Sequence, residues 1–344
     1  MKEKQLSIDS RATDLPDGGF VARFDVTIAG ELNLDLILYG LPEDLPPERE
    51  LLASGMMLTL GSSSAIVAHN LASLGCKVGF SSCVGADDFG EIALERLRAA
   101  GVEVSTVRRL GGDAMTGLTV ILPRGKWRNI LTYLGTMSAL KLEHLDLEYL
   151  ASSRHFHLSS YFLLRGLQPQ VAGLLRELKS AGLTISMDTN DDPDGMWESG
   201  LMNVLPLVDV LLPNEREAMK IAGRDDLESA LTRLTELVPL VVVKMGARGA
   251  MACRGEERLH CPALKLDEAV DTVGAGDSFD AGFLSEFVRG AGLAACLHKG
   301  NLAGALSTTR PGGTEAFRDI AYREDFMHKY ARPDWDQCPG EQTP

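Results

Sequence analysis

The chain has 344 residues, 45% of them hydrophobic and 24% charged, a composition that supports a globular fold with a sizeable core. The formal net charge is -14, with acidic residues spread along the chain, which disfavours a nucleic-acid partner because binding a polyanion draws on a dense set of Lys and Arg. Cys76, Cys83, Cys253, Cys261, Cys296 and Cys338 form no C-x-x-C pair, and no uncharged apolar run approaches the roughly 18 residues of a membrane span. The expected setting is a reducing cytoplasm without a membrane partner.

Residues 1–22 read as a loose polar leader without the apolar stretch of a secretory signal. FDVTIAG (24–30) is a strand, and Leu32, Leu34, Leu36 and Leu38 alternate at the strand period of two. After the Pro/Glu stretch 41–49, MMLTLG resumes as strand. SSSAIVAHNLASLG (62–75) reads as a helix, with three serines available as N-caps and Gly75 as a stop. The strand VGFSSCVG and the helix FGEIALERLRAAG follow, and GLTVILPR and NILTYLG flank GKWR as a hairpin.

The second half alternates strand and helix: HFHLSS before PQVAGLLRELKSAG, LTISMDTN, VDVLLPN before EREAMKIAG, and LVPLVVVKMG after DLESALTRLTEL. That rhythm predicts parallel strands joined by right-handed helical crossovers, hence a three-layer α/β sheet. The early strands and the hairpin fall outside it and predict a small β lid. The tail after Pro333 is polar and expected to be mobile.

Chemistry concentrates in DTVGAGDSFDAGFL (271–284). Glycines let successive backbone N–H groups point one way, and the helix that follows adds its positive end, so Gly274, Ala275 and Gly276 form an anion site suited to phosphate. Asp277 stands at the same helix entrance. Two roles fit it: a helix N-cap, or the base that takes the proton of a hydroxyl attacking a phosphoryl group. The chain has no G-x-x-x-x-G-K-[ST], no early G-x-G-x-x-G, no H-E-x-x-H and no G-x-S-x-G, which sets aside P-loop, dehydrogenase, metalloprotease and hydrolase readings.

DTVGAGDSFDAGF, together with VGADDFG (84–90), Gly61 before a small polar run, Asn214-Glu215-Arg216-Glu217, Gly246-Ala247-Arg248-Gly249 and Asn301 ahead of TTRPGG, resembles the ribokinase-like (PfkB-type) carbohydrate kinases, with the motifs in that family's order. The resemblance implies a single three-layer α/β/α sandwich over about 24–330, with lid strands from about 32–60 and 105–137. It implies Mg2+-ATP as phosphoryl donor, a sugar or nucleoside as acceptor, Asp277 as base and the amides of Gly274, Ala275 and Gly276 as anion hole. Asn33, Asp35, Gly61 and Ser62 would contact the acceptor. Lys244, Gly246 and Gly249 would lie along the nucleotide and Asn301 near its adenine, while Asn214 and Glu217 would organise Mg2+ through water. Asp271 would hold a monovalent cation such as K+, and the lid would join two copies into a homodimer.

Four positions depart from the pattern. Ser62 replaces the second glycine of a Gly-Gly pair, Ile66 replaces an amide side chain that touches ribose, Lys244 replaces a small hydroxyl residue, and Ala316 replaces a hydroxyl residue beside the cation. Ile66 removes a donor and an acceptor, so the acceptor contacts must differ from those of a ribose kinase. A phosphosugar acceptor would want a cation in the pocket, for which Arg128 and Arg165 are the candidates. A vitamin-like alcohol as acceptor, and a non-catalytic sugar or nucleotide sensor, are the remaining alternatives. For VGADDFG the plainer expectation is a loop and helix start capped by Asp88.

Overall fold

The computed structural model describes residues 22–124, 127–267 and 269–330; apart from Ala22, the leader and tail expected to be flexible lie outside the described residues. Strand β1 (Phe24–Ala29) leads into β2 (Asn33–Tyr39) and β3 (Gly55–Leu60), followed by α1 (Ser63–Ser73), β4 (Val78–Ser81), β5 (Cys83–Gly85), α2 (Asp88–Ala99) and β6 (Arg108–Leu110). The hairpin β7 (Gly117–Arg124) and β8 (Trp127–Tyr133) comes next, then α3 (Leu147–Ala151), β9 (Ser153–Ser159), α4 (Val171–Ser180), β10 (Thr184–Asp188), α5 (Leu201–Val204) and β11 (Val210–Leu211). The last third holds α6 (Glu215–Ala222), α7 (Leu227–Thr235), β12 (Leu240–Lys244), β13 (Ala250–Arg254), β14 (Glu257–Cys261), α8 (Ala275–Phe287), α9 (Leu293–Ser307), α10 (Glu315–Arg318) and α11 (Ile320–Lys329).

Eight strands form the main sheet in the order β14-β13-β12-β11-β10-β9-β1-β4. From β12 to β4 the neighbours are parallel, as the strand–helix alternation predicts, while β13 and β14 add an antiparallel edge. Both faces are covered, and the strand period sorts the side chains between them. Val241 and Val243 join the core under α4 and α7, whereas Val242 joins the core under α1 and α8. The chain runs from β1 to β4 on one side and later sets β9 on the other, so the strand order reverses at β1. A crevice at the carboxyl ends of the strands around such a reversal is where open α/β sheets bind ligands.

The second sheet has the order β3-β2-β7-β8 and is the lid. Residues 105–116 lie outside it: β6 pairs with β5 in a separate two-stranded ribbon, and VGFSSCVG is two strands. Register puts Asp35 beside Thr59 and Thr119, and Thr119 opposite Thr132; one step along, Ile37 pairs with Met57 and Ile121, and Ile121 with Ile130. This face alternates a polar row with an apolar one, while Leu32 and Leu34 turn into the main core.

Two helix starts differ from expectation. Asp87, not Asp88, caps α2, accepting from the amide of Gly90 at 2.8 Å while its other oxygen takes the amide of Thr116 at 2.7 Å. At α1 no serine side chain caps the helix; the carboxylate of Glu31 receives the Ser64 amide instead. Between β9 and β10 runs a buried polar chain. Thr184 Oγ1 meets His155 Nδ1 at 2.7 Å, His155 Nε2 meets Ser186 Oγ at 2.6 Å, Ser186 Oγ meets His157 Nδ1 at 2.7 Å, and His157 Nε2 meets Ser159 Oγ at 2.7 Å.

Candidate active site

The site lies where the carboxyl ends of β1, β10 and β12 meet the start of α8. Gly274 is the N-cap of α8 with φ 71°, a left-handed backbone that glycine adopts without strain, and a Cβ there would sit 2.6 Å from Cα of Gly313. The amides of Ala275 and Gly276 therefore open the helix, where the dipole and the N–H groups of the first turn favour an anion, the Ala275 amide also reaching the Thr272 carbonyl at 3.3 Å. Asp277 falls inside the first turn, so it does not act as the N-cap. It is 8% exposed, and burial followed by the nearby charge of Asp188 raises its pKa to about 6, against the opposing pull of Lys244 and a hydrogen bond from Ser63. A carboxylate poised there matches the requirement for a general base near neutral pH.

Beneath this turn lies an ionic triad that the sequence pattern did not reveal. Lys244, at the end of β12, is ion-paired and only 12% exposed at its side chain: its Nζ sits 2.6 Å from Asp188 Oδ2 at the end of β10 and 3.2 Å from each carboxylate oxygen of Asp280, one turn below Asp277. A Cβ on Gly276 would be 3.6 Å from the same Nζ, so the ammonium underlies the anion-hole turn. Burial alone would push the Lys244 proton off, but Asp188, Asp280 and Glu217 outweigh it and hold the pKa well above the usual ammonium range. Asp280 is pushed well above the usual carboxylate range, chiefly by burial. Asp188 is held below that range, because Lys244 and hydrogen bonds outweigh burial. The triad thus favours the charged forms of Lys244 and Asp188, while burial opposes ionisation of Asp280.

On one side stands the N-terminus of α6. Asn214 and Glu217 cap it reciprocally: Asn214 Oδ1 accepts the Glu217 amide at 2.9 Å, and Glu217 accepts the Asn214 amide at 2.8 Å and its Nδ2 at 2.6 Å. Burial and then Asp188 raise Glu217 to about 7. Gly246 and Gly249 bracket the turn after β12, both with positive φ. Asn301, on α9, donates its amide to the carbonyls of Cys261 at 3.0 Å and Pro262 at 3.2 Å, anchoring the start of the loop after β14. Asp271 accepts from the amides of Val273 at 3.0 Å and Gly312 at 3.0 Å, tying together the two loops that meet at Gly274.

Across the crevice stands the lid. Asn33 donates to Thr119 Oγ1 at 2.9 Å, while its Oδ1 is buried with no hydrogen-bond partner among the described residues. Asp35 is 6% exposed, and burial, then Asp277 and Asp271, raise it to about 7. The space in front of both is kept by Gly61: a Cβ there would overlap Asp35 Oδ1 and come within 2.6 Å of Asn33 Oδ1. An orphaned acceptor and a carboxylate facing a space that one methyl group would fill are the features of a hydroxyl-binding pocket. Ser62, with φ 59°, borders it and donates to the Glu31 carbonyl at 2.8 Å. Ile66 reaches the same centre, its Cδ1 3.2 Å from where a Gly274 Cβ would be. Arg128 extends from β8 to Thr272 Oγ1 at 3.5 Å, whereas Arg165 is engaged on the surface with Asp194. Ala316 is buried, so that position offers no side-chain oxygen.

Among the described residues no group of three His, Cys, Asp or Glu side chains forms a ready metal cage. The nearest fit to a divalent cation is the edge of the triad, where the charge of Asp188 raises Glu217 and Lys244 opposes it. A cation arriving with a nucleotide would relieve that repulsion.

Comparison with known proteins identifies the family. Residues 24–320 match the pfkB family carbohydrate kinase profile. A fructokinase of Klebsiella pneumoniae is 31% identical over 301 residues, covering 83% of this chain and 95% of the relative. An ATP-dependent 6-phosphofructokinase of Thermoanaerobacterium thermosaccharolyticum is 28% identical, covering 87% and 92%. An E. coli protein assigned as a ribokinase II, solved in complex with ATP and Mg2+, superposes with a TM-score of 0.79 at 26% identity, over 89% of this chain and 99% of that one. The chain belongs to the PfkB family of carbohydrate kinases and is a sugar kinase.

Proposed function

We propose that the chain transfers the γ-phosphoryl group of ATP to a hydroxyl of a neutral sugar or nucleoside, with Asp277 as general base. The observation that carries the reading is the opposition of two halves. Buried Asp277 and the Gly274–Gly276 turn stand on one side, and the hydroxyl pocket of Asn33, Asp35 and Gly61 on the other. The acceptor hydroxyl lies against Asp277, whose carboxylate takes its proton as the new O–P bond forms and the bond to the ADP oxygen breaks. The amides of Gly274, Ala275 and Gly276 receive the charge on the transferring oxygens, and Lys244 adds positive potential beneath them. Mg2+, bound with the nucleotide, supplies charge neutralisation, and Asn214 and Glu217 would hold its water shell. Gly246, Gly249 and Asn301 shape the nucleotide side, the last by fixing the loop that follows β14.

A neutral acceptor is favoured because the pocket gathers Asp35, Asp271 and Asp277, with Arg128 as the cation reaching across from the lid. Arg128 also supports a second reading, a phosphosugar acceptor, consistent with the name of the 6-phosphofructokinase relative. An acceptor panel with ADP release as readout separates the two. Arg128→Gln is expected to leave the KM of a neutral sugar within about threefold, and to raise that of a sugar phosphate more than about tenfold if the second reading holds.

The outer edge of β8 ends the lid sheet, with Trp127, Ile130, Leu131 and Tyr133 all more than half exposed. We infer that a second copy covers this edge, giving a homodimer joined through the lids.

A further inference from the structure

Glu31 stands in the elbow between β1 and β2 and is 1% exposed. Its Oε2 accepts from Ser64 Oγ at 2.7 Å, its Oε1 from the Ser64 amide at 3.2 Å, and its backbone carbonyl from Ser62 Oγ at 2.8 Å. These three bonds grip the turn that starts α1 on both sides of Ser63. Ser62 holds φ 59° there, a left-handed conformation that costs a residue with a Cβ of order 1–3 kcal/mol and persists only where surrounding contacts enforce it. The turn also lacks a side-chain cap of its own, so Glu31 supplies from outside the acceptor that the first turn of α1 needs. Ser63, between the two gripped residues, lies near enough to the carboxylate of Asp277 to favour its ionised form. Gly61, on the other flank, is the floor of the hydroxyl pocket.

We propose that Glu31 is a positioning residue of the phosphoryl-transfer site: by holding the Ser62–Ser64 turn it fixes Ser63 against Asp277 and Gly61 against Asn33 and Asp35. The proposal rests on the reading of Asp277 as the base. Glu31 contributes a second effect through space, since its negative charge lies close enough to oppose the ionisation of Asp277. The other charged groups around Asp277 are Asp188 from β10, Lys244 from β12, Asp280 from α8 and Asp35 from β2, whereas the hydrogen bonds of Glu31 go to Ser62 and Ser64.

The test combines kinetics with a titration that needs no turnover. Carbon-13 labelling of aspartate carboxyls, with the Asp277 signal assigned by its loss in Asp277→Asn, reports the Asp277 midpoint in wild type, Glu31→Gln and Glu31→Ala. Glu31→Gln keeps the shape and one acceptor oxygen but removes the charge. Its Asp277 midpoint is expected to fall by roughly half a pH unit, with kcat lowered several-fold and the acid limb of kcat moving by the same amount. Glu31→Ala frees the turn and is expected to lower kcat about tenfold or more and to raise the acceptor KM, because a misplaced base and pocket cost orientation. Should Glu31→Ala fail to fold, Glu31→Gln alone decides the matter. An Asp277 midpoint and kinetic constants that match wild type in Glu31→Gln overturn the proposal. A midpoint that moves in a chain that phosphorylates no acceptor upholds the control of Asp277 by Glu31 and overturns only the reading of Asp277 as base.

Discussion

Asp277 concentrates the proposed chemistry in one side chain, and its environment makes two separate demands. With its pKa raised to about 6, the proposed base would be protonated and idle below that pH, so kcat/KM for the acceptor is expected to fall as pH drops through about 6, read from a pH–rate profile. Asp277→Asn is expected to lower turnover by about 10²–10⁴. The same substitution is expected to stabilise the fold. Because the folded pKa lies above the ordinary 3.8, the native state binds more protons than the unfolded chain between those values, and the stability of wild type falls as pH rises through that window. Asparagine lacks this penalty. The variant should therefore exceed wild type by about 2–3 kcal/mol in calorimetry at pH 8, with the gap closing toward pH 4. Gly61→Ala places a methyl group on Asp35 and Asn33 and is expected to raise the acceptor KM at least about tenfold, with a smaller effect on the KM for ATP. Asp277 stood out in the sequence because a glycine-rich turn beside an acid is a local signal, whereas Gly61 stood out only through the family resemblance. Asp188, Asp280 and Glu31 were not. Asp188 and Asp280 join Lys244 across 56 and 36 residues of chain, and Glu31 reaches Ser64 across 33, so only the fold brings them together.

At the scale of elements, the strand–helix alternation was enough to predict the parallel core, in which Val241, Val242 and Val243 alternate between two buried faces. That alternation did not disclose what HFHLSS does. Its two histidines point to one side of β9 and share Ser186 of β10, closing a buried hydrogen-bonded chain from Thr184 to Ser159. Burial lowers His155 to about 3 and His157 to about 4, so both are neutral and each offers one donor and one acceptor nitrogen. Ser186→Ala strands one nitrogen on each ring, at about 1–3 kcal/mol apiece, and is expected to lower the denaturant midpoint with the m-value unchanged. A midpoint equal to wild type would mean that the rings find other partners. The lid was legible as a departure from the strand–helix rhythm. The pairing of β6 with β5 was not, because a three-residue strand carries too little periodicity to announce its partner.

For the whole molecule, the proposed function sets donor and acceptor on facing walls, one at the strand reversal at β1 and the other on the lid. Closure of the lid would keep out the water that competes for the phosphoryl group. Thr59 and Arg96 bind Glu315 at 2.8 and 2.9 Å, which latches β3 to the segment following the Gly312–Gly313 loop. The exposed β8 edge carries the homodimer inference: sedimentation equilibrium is expected to give twice the chain mass for wild type, and Leu131→Lys to shift the balance toward monomer. A wild-type monomer at all concentrations would remove it. The central claim is phosphoryl transfer to a hydroxyl, and phosphorus-31 NMR of Mg2+-ATP incubated with the protein and a panel of neutral sugars and nucleosides tests it most directly. A phosphate monoester forming in step with ADP in wild type, and at least about a hundredfold more slowly in Asp277→Asn, is the predicted result. Monoester formation at an undiminished rate in Asp277→Asn would contradict the account.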